Sequence, residues 1–332
     1  MVEPIIEIKN LVIEYQMREG IVRAIDNVSL NVPKGKFTAI IGESGCGKTT
    51  IVSAILNTLP LNGRVKSGEV LFNGKNLHLL KKEELRRFKW EKIAAVFQAA
   101  QNILNPVMLI KDQMVETIFA HRNVSKKEAL EKASGLIELV GLEPSRVMNS
   151  YPHETSGGMK QRIVIAMSLL LDPEMLILDE PTTALDLITQ FYLLETLSHL
   201  HEKLEITMLM VTHDVSNVAR YSDRVAIMYA GKIVEVGNIE DIFYNSHHPY
   251  TIGLIDSIPS IIGDISKKKP IKGLPPSLLD PPPGCRFHPR CPYALDKCKA
   301  AEPLLKSIGN EHKAACHRSS EVRMECSNES VI

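Results

Sequence analysis

The chain has 332 residues, of which 44% are hydrophobic, and its 39 Lys and Arg residues balance its 39 Asp and Glu residues. This length predicts one large domain with an appendage or two domains, and the balanced charge argues against a nucleic-acid binder. No apolar run approaches the roughly 18 residues of a membrane span, and the chain starts without a basic n-region, so we expect a cytosolic protein.

The first hundred residues contain several predicted strands separated by turns. Two of them partly alternate apolar and polar side chains, as half-buried strands do, and the others are short apolar runs. These predicted strands span residues 7–15, 22–32, 37–41, 68–74 and 93–98. The last one ends on a polar residue, Gln98.

Residues 42–50, the phosphate loop, have the form G-x-x-x-x-G-K-[ST]. The loop follows a predicted buried strand and precedes an apolar run, residues 51–56, that can continue a helix, which is the context that this motif requires. Glycines let the backbone wrap closely around phosphates, while Lys48 would reach the outer phosphates and the Thr49 hydroxyl would bind Mg²⁺. An ordinary glycine-rich turn is the alternative. The predicted nucleotide contacts in this loop are Gly42, Ser44, Gly45, Cys46, Gly47, Lys48, Thr49 and Thr50.

Helices are predicted from about residue 105 to residue 171. Ser125 and Glu128 have the spacing of a capping box ahead of an apolar helical face. Further along the chain, we predict a helix at residues 187–204, a strand at residues 206–212 and a hairpin over residues 225–237. Strands that alternate with helices indicate an α/β core.

A buried strand predicted at residues 175–180 ends in two carboxylates, Asp179 and Glu180. Downstream of a phosphate loop, the first acid can hold Mg²⁺ and the second can orient or deprotonate an attacking water. The alternative is an acidic pair that favours the start of a helix, since Pro181 follows directly. Together with Lys48 and Thr49, the pair favours the catalytic interpretation.

The stretch Thr155-Ser156-Gly157-Gly158-Met159-Lys160-Gln161 resembles the L-S-G-G-Q signature of ATP-binding-cassette (ABC) ATPases. It has the L-S-G-G-M form of peptide-importer ATPases, with Thr155 in place of the leucine. The resemblance implies that Ser156 and the amides of Gly157 and Gly158 cover the γ-phosphate held by a partner subunit. A hydroxyl and free N–H groups at a helix start suit that task.

Four other positions match the same family. Gln98 matches the Q-loop glutamine, which the resemblance implies holds Mg²⁺ and couples to the transmembrane subunits. Asp186, in Ala184-Leu185-Asp186, matches the D-loop, and His213 matches the switch histidine that contacts the γ-phosphate. Tyr15 matches the aromatic residue that stacks on adenine. Alone, a histidine or tyrosine of this kind would be interpreted as packing.

Beyond residue 258 the chain is rich in proline and cysteine, and the run Lys267–Pro270 is predicted to be a solvated linker. The segment from Pro281 to Cys316 resembles the C-terminal segment of dipeptide and oligopeptide importer ATPases. That resemblance implies a [4Fe-4S] cluster held by four thiolates, with Zn²⁺ left open by the sequence. Cys326 lies outside the pattern and is predicted to be a spare surface thiol. The implied ligands are Cys285, Cys291, Cys298 and Cys316.

The resemblance implies an α/β fold, namely a P-loop NTPase of ABC type. We expect a nucleotide-binding domain over residues 1–257, with a helical subdomain at about 105–171, and a small irregular Cys-rich region over residues 258–332. The implied function is that of an ATPase subunit of a dipeptide or oligopeptide importer, with ATP and Mg²⁺ as cofactors. An importer of oligosaccharides, or a soluble ABC ATPase acting on nucleic acid or ribosomes, is the alternative.

The same resemblance implies an assembly. Its members would be a second ABC ATPase, expected to be a related chain, two transmembrane permeases and an extracellular solute-binding protein, with no nucleic acid. The chain would then lie peripherally at the cytoplasmic face of the cell membrane.

Overall fold

The computed structural model describes residues 3–98, 100–183, 185–258 and 271–322, with the side chains of residues 100 and 101 left out. Ala184 of the predicted D-loop, the predicted linker Lys267–Pro270 and the predicted spare thiol Cys326 lie outside these ranges. The chain divides into two compact units: Met1–His78 with Val211–Ile332, and Leu79–Met210. Within the described ranges, no helix is both long enough and apolar enough to cross a bilayer.

The first unit begins with two long strands that pair antiparallel with each other. A third strand pairs with the first and a short fourth strand pairs with the third, which gives a four-stranded antiparallel sheet with a buried apolar face. All five residues of Phe37–Ile41 are buried, as is typical of a central strand covered on both faces. The elements are β1 (Pro4–Met17), β2 (Gly20–Pro33), β3 (Phe37–Ile41), α1 (Lys48–Ile55), β4 (Gly63–Phe72), β5 (Lys75–Asn76) and a 3₁₀ turn (Leu77–Leu79).

The second unit is mostly helical and contains two parallel buried strands and the first part of a third strand. The predicted capping box is confirmed, since the Ser125 hydroxyl accepts from Glu128 N and the Glu128 carboxylate accepts from Ser125 N. Lys89 and Trp90 depart from helical geometry near the end of its first helix. The helices and strands are α2 (Lys82–Glu91), β6 (Ile93–Val96), α3 (Ile110–Phe119), α4 (Lys126–Leu139), α5 (Pro144–Val147), α6 (Gly157–Ser168), β7 (Met175–Asp179), α7 (Leu187–Leu204) and β8 (Thr207–Thr212), with 3₁₀ turns at Ala100–Ile103 and Pro152–Glu154.

The chain then returns to the first unit, which starts again at Val211 within β8. Its elements are α8 (Val215–Tyr221), β9 (Arg224–Tyr229), β10 (Lys232–Asn238), α9 (Ile239–Tyr244), α10 (Pro249–Asp256), α11 (Asp296–Ala300), β11 (Lys306–Ser307) and β12 (Lys313–Ala314). β9 pairs parallel with β3 and antiparallel with β10, which in turn pairs with β12. The C-terminal segment (residues 271–322) therefore adds strands to the sheet that contains β3.

The predicted α/β fold is confirmed, and the differences concern the ends of elements. β6 ends at Val96 because its last pairing partner in β7 is Leu178, so Phe97 and Gln98 lie beyond the strand and are exposed. β4 begins at Gly63, five residues earlier than predicted, because this residue pairs with Tyr15 of β1. The predicted helical subdomain lies inside the second unit. The predicted boundary at residue 258 stays a prediction.

Candidate nucleotide-binding site

The phosphate loop connects β3 to α1 as the sequence predicts. Gly47 is the N-cap of α1 and no side chain caps this helix, so its first N–H groups point out of the helix start. The side chain of Lys48 is buried, and its ammonium donates to the carbonyl oxygens of Gly42 at 2.7 Å and Glu43 at 3.1 Å. Its third contact is to Cys46 Sγ at 3.9 Å, and because sulfur is a weak acceptor, an anion above the loop could take its place.

Two glycines of the loop cannot be replaced without moving the backbone. A Cβ on Gly42 would lie 2.1 Å from the carbonyl oxygen of Met228. Gly47 has a φ of +111°, and a Cβ there would lie 2.6 Å from the carbonyl oxygen of Ala24. The loop needs glycine at these positions for close packing as well as for access to phosphates.

Tyr15 and His213 also belong to the first unit. Tyr15 is half-buried in β1, and its hydroxyl donates to Thr50 Oγ1 at 3.3 Å, which brings this ring to the end of the phosphate loop. His213 follows the last residue of β8 and is exposed. Thr49 and Ser44 are exposed on the loop, whereas Cys46 is buried. The placement of Tyr15 is compatible with a contact to the nucleotide base.

In the second unit, Asp179 and Glu180 lie where β7 ends. Asp179 is the last, buried residue of the strand, and Glu180 follows with a φ of +49°. A carboxylate oxygen of Glu180 accepts from the Thr183 hydroxyl at 3.1 Å. Because β6 and β7 are parallel and Val96 pairs with Leu178, Gln98 and Glu180 emerge at the same edge of the sheet. The structure therefore brings these predicted site residues together.

The predicted signature forms the start of α6. The Ser156 hydroxyl is the N-cap and accepts from Met159 N at 3.3 Å, and the residue is exposed. A Cβ on Gly158 would lie only 2.3 Å from Thr189 Cγ2, so glycine allows α6 to pack on α7. Thr155, at the position of the family's leucine, is buried and donates its hydroxyl to the Pro152 carbonyl at 2.7 Å. This threonine is therefore accommodated without an unpaired hydroxyl.

Asp186 is hydrogen-bonded to a residue in the first turn of α7. It is the N-cap of α7 and accepts from both the backbone and the hydroxyl of Thr189, at 3.0 and 2.6 Å. These hydrogen bonds lower the pKa of Asp186. Its predicted contact across a dimer stays a prediction. Gln161 links α6 to the stretch after Glu180, because its amide donates to the Pro181 carbonyl at 3.2 Å.

The four cysteines of the C-terminal segment line one small cavity, the cysteine cavity, and none of them is in a disulfide. Burial raises the pKa of the Cys285 and Cys316 thiols to about 11 and also raises that of Cys291. Four thiols on one cavity are the donor set of an iron–sulfur cluster or a zinc site. Across the described ranges, however, no group of three or more His, Cys, Asp or Glu side chains is arranged to hold a metal ion.

Several residues around the phosphate loop carry no sequence signal and were missed. Glu43 N donates to the hydroxyl of Tyr250, a buried residue of α10, at 3.1 Å. The Glu43 carboxylate pairs with Arg290 of the C-terminal segment at 2.7 Å. Such contacts join positions more than 200 residues apart, so no local motif or period could reveal them.

Comparison with known proteins agrees with this geometry. Residues 25–183 match the ABC transporter family, and residues 234–298 match the C-terminal region of oligopeptide/dipeptide transporters. The dipeptide transport ATP-binding protein DppD of Caldanaerobacter subterraneus is 49% identical over 314 residues, which cover 94% of this chain and 96% of that protein. The chain belongs to the ABC transporter ATPase family. It is thus an ATP-binding, ATP-hydrolysing protein.

Further relatives support the same assignment. The oligopeptide transport ATP-binding protein OppD of Bacillus subtilis is 41% identical over 311 residues, covering 93% of this chain and 87% of that protein. The solved dimeric structure of the bacterial ABC transporter cassette MJ0796 is 33% identical, with a TM-score of 0.62, and covers 70% of this chain and 98% of the cassette. The same cassette has been solved as a dimer in a post-hydrolysis state bound to ADP and Pi.

Proposed function

We propose that this ABC ATPase powers the import of dipeptides or oligopeptides. The observation that carries the proposal is the similarity to dipeptide transport ATP-binding proteins over 94% of the chain, including the C-terminal segment. A cassette without that segment would support ATP hydrolysis but no particular transport class.

The roles of the site residues follow from their chemistry. Lys48 and the loop amides bind the ATP phosphates, while Thr49, Gln98 and Asp179 hold Mg²⁺. Glu180 activates water and His213 contacts the γ-phosphate. Ser156, Gly157 and Gly158 face the nucleotide of a second cassette. The capped start of α6, with its exposed hydroxyl, supports an anion-binding role for this last group.

The proposed assembly contains a second, related ATPase and two transmembrane permeases that receive solute from an extracellular binding protein. In this assembly the chain lies on the cytoplasmic face of the cell membrane, held there by the permeases. The dimeric cassette MJ0796 supports the pairing of two cassettes.

We further propose that the cysteine cavity holds a [4Fe-4S] cluster, with Zn²⁺ as the alternative for the same four thiols. The convergence of Cys285, Cys291, Cys298 and Cys316 on one cavity supports the proposal, and the four thiols would have to rearrange to hold the cluster, since they are not arranged to hold a metal ion in this structure. Because the pKa values of three of these thiols are raised, binding must release protons, and the occupied state should be favoured at higher pH.

One experiment tests the assembly and the cluster together. The native complex is purified anaerobically in mild detergent, its subunits are identified by mass spectrometry, and its absorption spectrum and iron and zinc contents are recorded. We expect two permeases, a second cassette and about four irons per chain. Ribosomes or nucleic acid in place of permeases would contradict the importer, and one zinc per chain without iron would replace the cluster.

A further inference from the structure

In the sequence, Arg290 lies between two of the cavity cysteines, Cys285 and Cys291. Its side chain contacts the phosphate loop. Its two terminal nitrogens donate to the two carboxylate oxygens of Glu43 at 2.7 and 2.9 Å. It also donates to the Tyr229 hydroxyl at 3.2 Å. The Arg290 side chain is 7% exposed and the Glu43 side chain is 24% exposed, so this bidentate pair is partly shielded from solvent. Bidentate charge-assisted pairs are among the stronger hydrogen-bonded contacts.

Glu43 is held at every polar group it has. Its N–H donates to the Tyr250 hydroxyl, its carboxylate accepts from Arg290, and its carbonyl accepts from the Lys48 ammonium at 3.1 Å. Arg290, Glu43 and Lys48 therefore form a continuous chain of contacts from the C-terminal segment to the phosphate-binding lysine.

A second arginine of the same segment supports the loop from another side. Arg286 donates to the Ala230 carbonyl and to the Asp26 carboxylate. The neighbouring residue, Gly231, donates its N–H to the Cys46 carbonyl at 2.8 Å. The turn between β9 and β10 thus rests on Arg286 and in turn holds the middle of the phosphate loop.

We propose that the segment from Cys285 to Cys291 sets the nucleotide affinity of the phosphate loop, with Arg290 as the positioning residue that acts through Glu43. The inference rests on the proposed role of the loop. Without Arg290, an unpaired carboxylate would remain beside the bound phosphates, and the residue whose carbonyl orients Lys48 would lose one of the contacts that hold it. Nucleotide affinity should fall as a result.

The test measures binding of Mg-ADP to the full chain by isothermal titration calorimetry. Arg290→Met and Glu43→Gln should each weaken binding by roughly 5- to 20-fold, the effect of losing a charge-assisted contact. The double variant should be no weaker than the worse single variant, because both substitutions remove one interaction. Arg290→Lys keeps the charge without the fork and should give an intermediate affinity.

The set of variants separates positioning from charge and from folding. A purely electrostatic effect of Arg290 predicts tighter binding in Glu43→Gln and normal binding in Arg290→Lys, which would overturn the proposal. Glu311→Gln is the control, because it breaks an ion pair with Arg224 at 3.0 Å that does not contact the loop. The Mg-ADP affinity of this variant should equal that of the wild type. If Arg290→Met fails to fold, Glu43→Gln and Arg290→Lys decide alone.

A further variant separates this inference from the function of the loop. Lys48→Met should abolish Mg-ADP binding. Normal binding by Lys48→Met would contradict the proposed site itself. Loss of binding there, with wild-type affinity in Arg290→Met and Glu43→Gln, would overturn only the role of Arg290.

Discussion

Glu180 is the residue on which the proposed hydrolytic step depends. It leaves the buried strand β7 with a left-handed backbone and accepts a hydrogen bond from the Thr183 hydroxyl. Glu180→Gln keeps an acceptor for this hydroxyl but cannot take a proton from water. We expect ATP binding to persist while single-turnover hydrolysis slows by about 10²–10⁴-fold, the usual contribution of a general base.

A carboxylate just before the same strand provides the control for this prediction. Glu174 pairs with Lys92 at 2.6 Å and is partly exposed. Glu174→Gln should therefore leave hydrolysis unchanged. Turnover near the wild-type rate in Glu180→Gln would remove this residue from the mechanism.

Cys46 lies within the phosphate loop, yet its environment makes it a poor nucleophile. The residue is 4% exposed, and burial raises the pKa of its thiol despite the neighbouring Lys48. Since the thiolate is the reactive form, alkylation by iodoacetamide at pH 7 should be far slower than for free cysteine. The rate should rise about tenfold per pH unit up to pH 9, as the thiolate fraction grows.

Peptide-resolved mass spectrometry can measure this rate apart from the other cysteines. In denaturant, where burial is lost, Cys46 should react as a free thiol does. Alkylation in the folded chain at pH 7 that matches the rate in denaturant would contradict the described burial.

The sequence could single out candidate site residues where they fall in a short motif. Lys48, Asp179 and Glu180 are in this class, because phosphate and metal chemistry restricts both residue type and spacing. Arg290 and Glu43 are not. Their pairing depends on how distant segments pack, and an arginine beside cysteines in a proline-rich stretch carries no local sign of its partner.

At the scale of elements, α6 packs closely on α7 at Gly158. A Cβ at position 158 would meet Thr189 Cγ2 at 2.3 Å, and Thr189 cannot rotate away freely because Asp186 accepts from its hydroxyl at 2.6 Å. Gly158→Ala should therefore destabilise the chain by about 1–3 kcal/mol, the usual effect of overpacking. Urea unfolding measures the change.

Two further substitutions make this prediction specific. Thr189→Ser removes only the clashing methyl and keeps the bond to Asp186, so it should restore much of the stability lost in Gly158→Ala. Gly135→Ala, in α4, places a Cβ in open space and should instead stabilise the chain by about 0.5–1 kcal/mol. Equal effects of alanine at positions 158 and 135 would contradict the close contact.

The elements themselves differed in how well the sequence predicted them. α7 and β3 match the predicted residues because apolar periodicity and flanking polar residues define both ends. The two-residue strands β11 and β12 could not be predicted, since they form by pairing with each other and with β10 rather than from any intrinsic strand preference. The first residue of α6 is defined by a side-chain cap, in which the Ser156 hydroxyl accepts a hydrogen bond from Met159 N.

For the molecule as a whole, the C-terminal segment belongs to the same compact unit as the phosphate loop. A buried carboxylate, Glu235 in β10, receives hydrogen bonds from the backbone of His247 and His248 and pairs with His312 at 2.9 Å. Glu235 lies in an otherwise apolar strand, and the local sequence gave no indication that its carboxylate would bind these three histidine residues.

His248 lies within this buried network and should make stability depend on pH. Its Nδ1 accepts from Tyr250 N at 3.1 Å, and burial lowers the pKa of His248 to about 4, although Glu235 opposes the shift. The folded chain keeps this imidazole neutral, whereas the unfolded chain protonates it below about pH 6.5. Stability is therefore fully present above that pH and is lost as the pH falls towards 4. Between pH 7.5 and pH 5, this group should remove about 2 kcal/mol from the free energy of unfolding.

The variant His248→Gln tests this pH dependence, because glutamine keeps a hydrogen-bond acceptor but cannot be protonated. Urea unfolding of His248→Gln should show a smaller loss of stability than the wild type over the same pH range. Equal losses in the two proteins would mean that His248 protonates in the folded chain as readily as in the unfolded one.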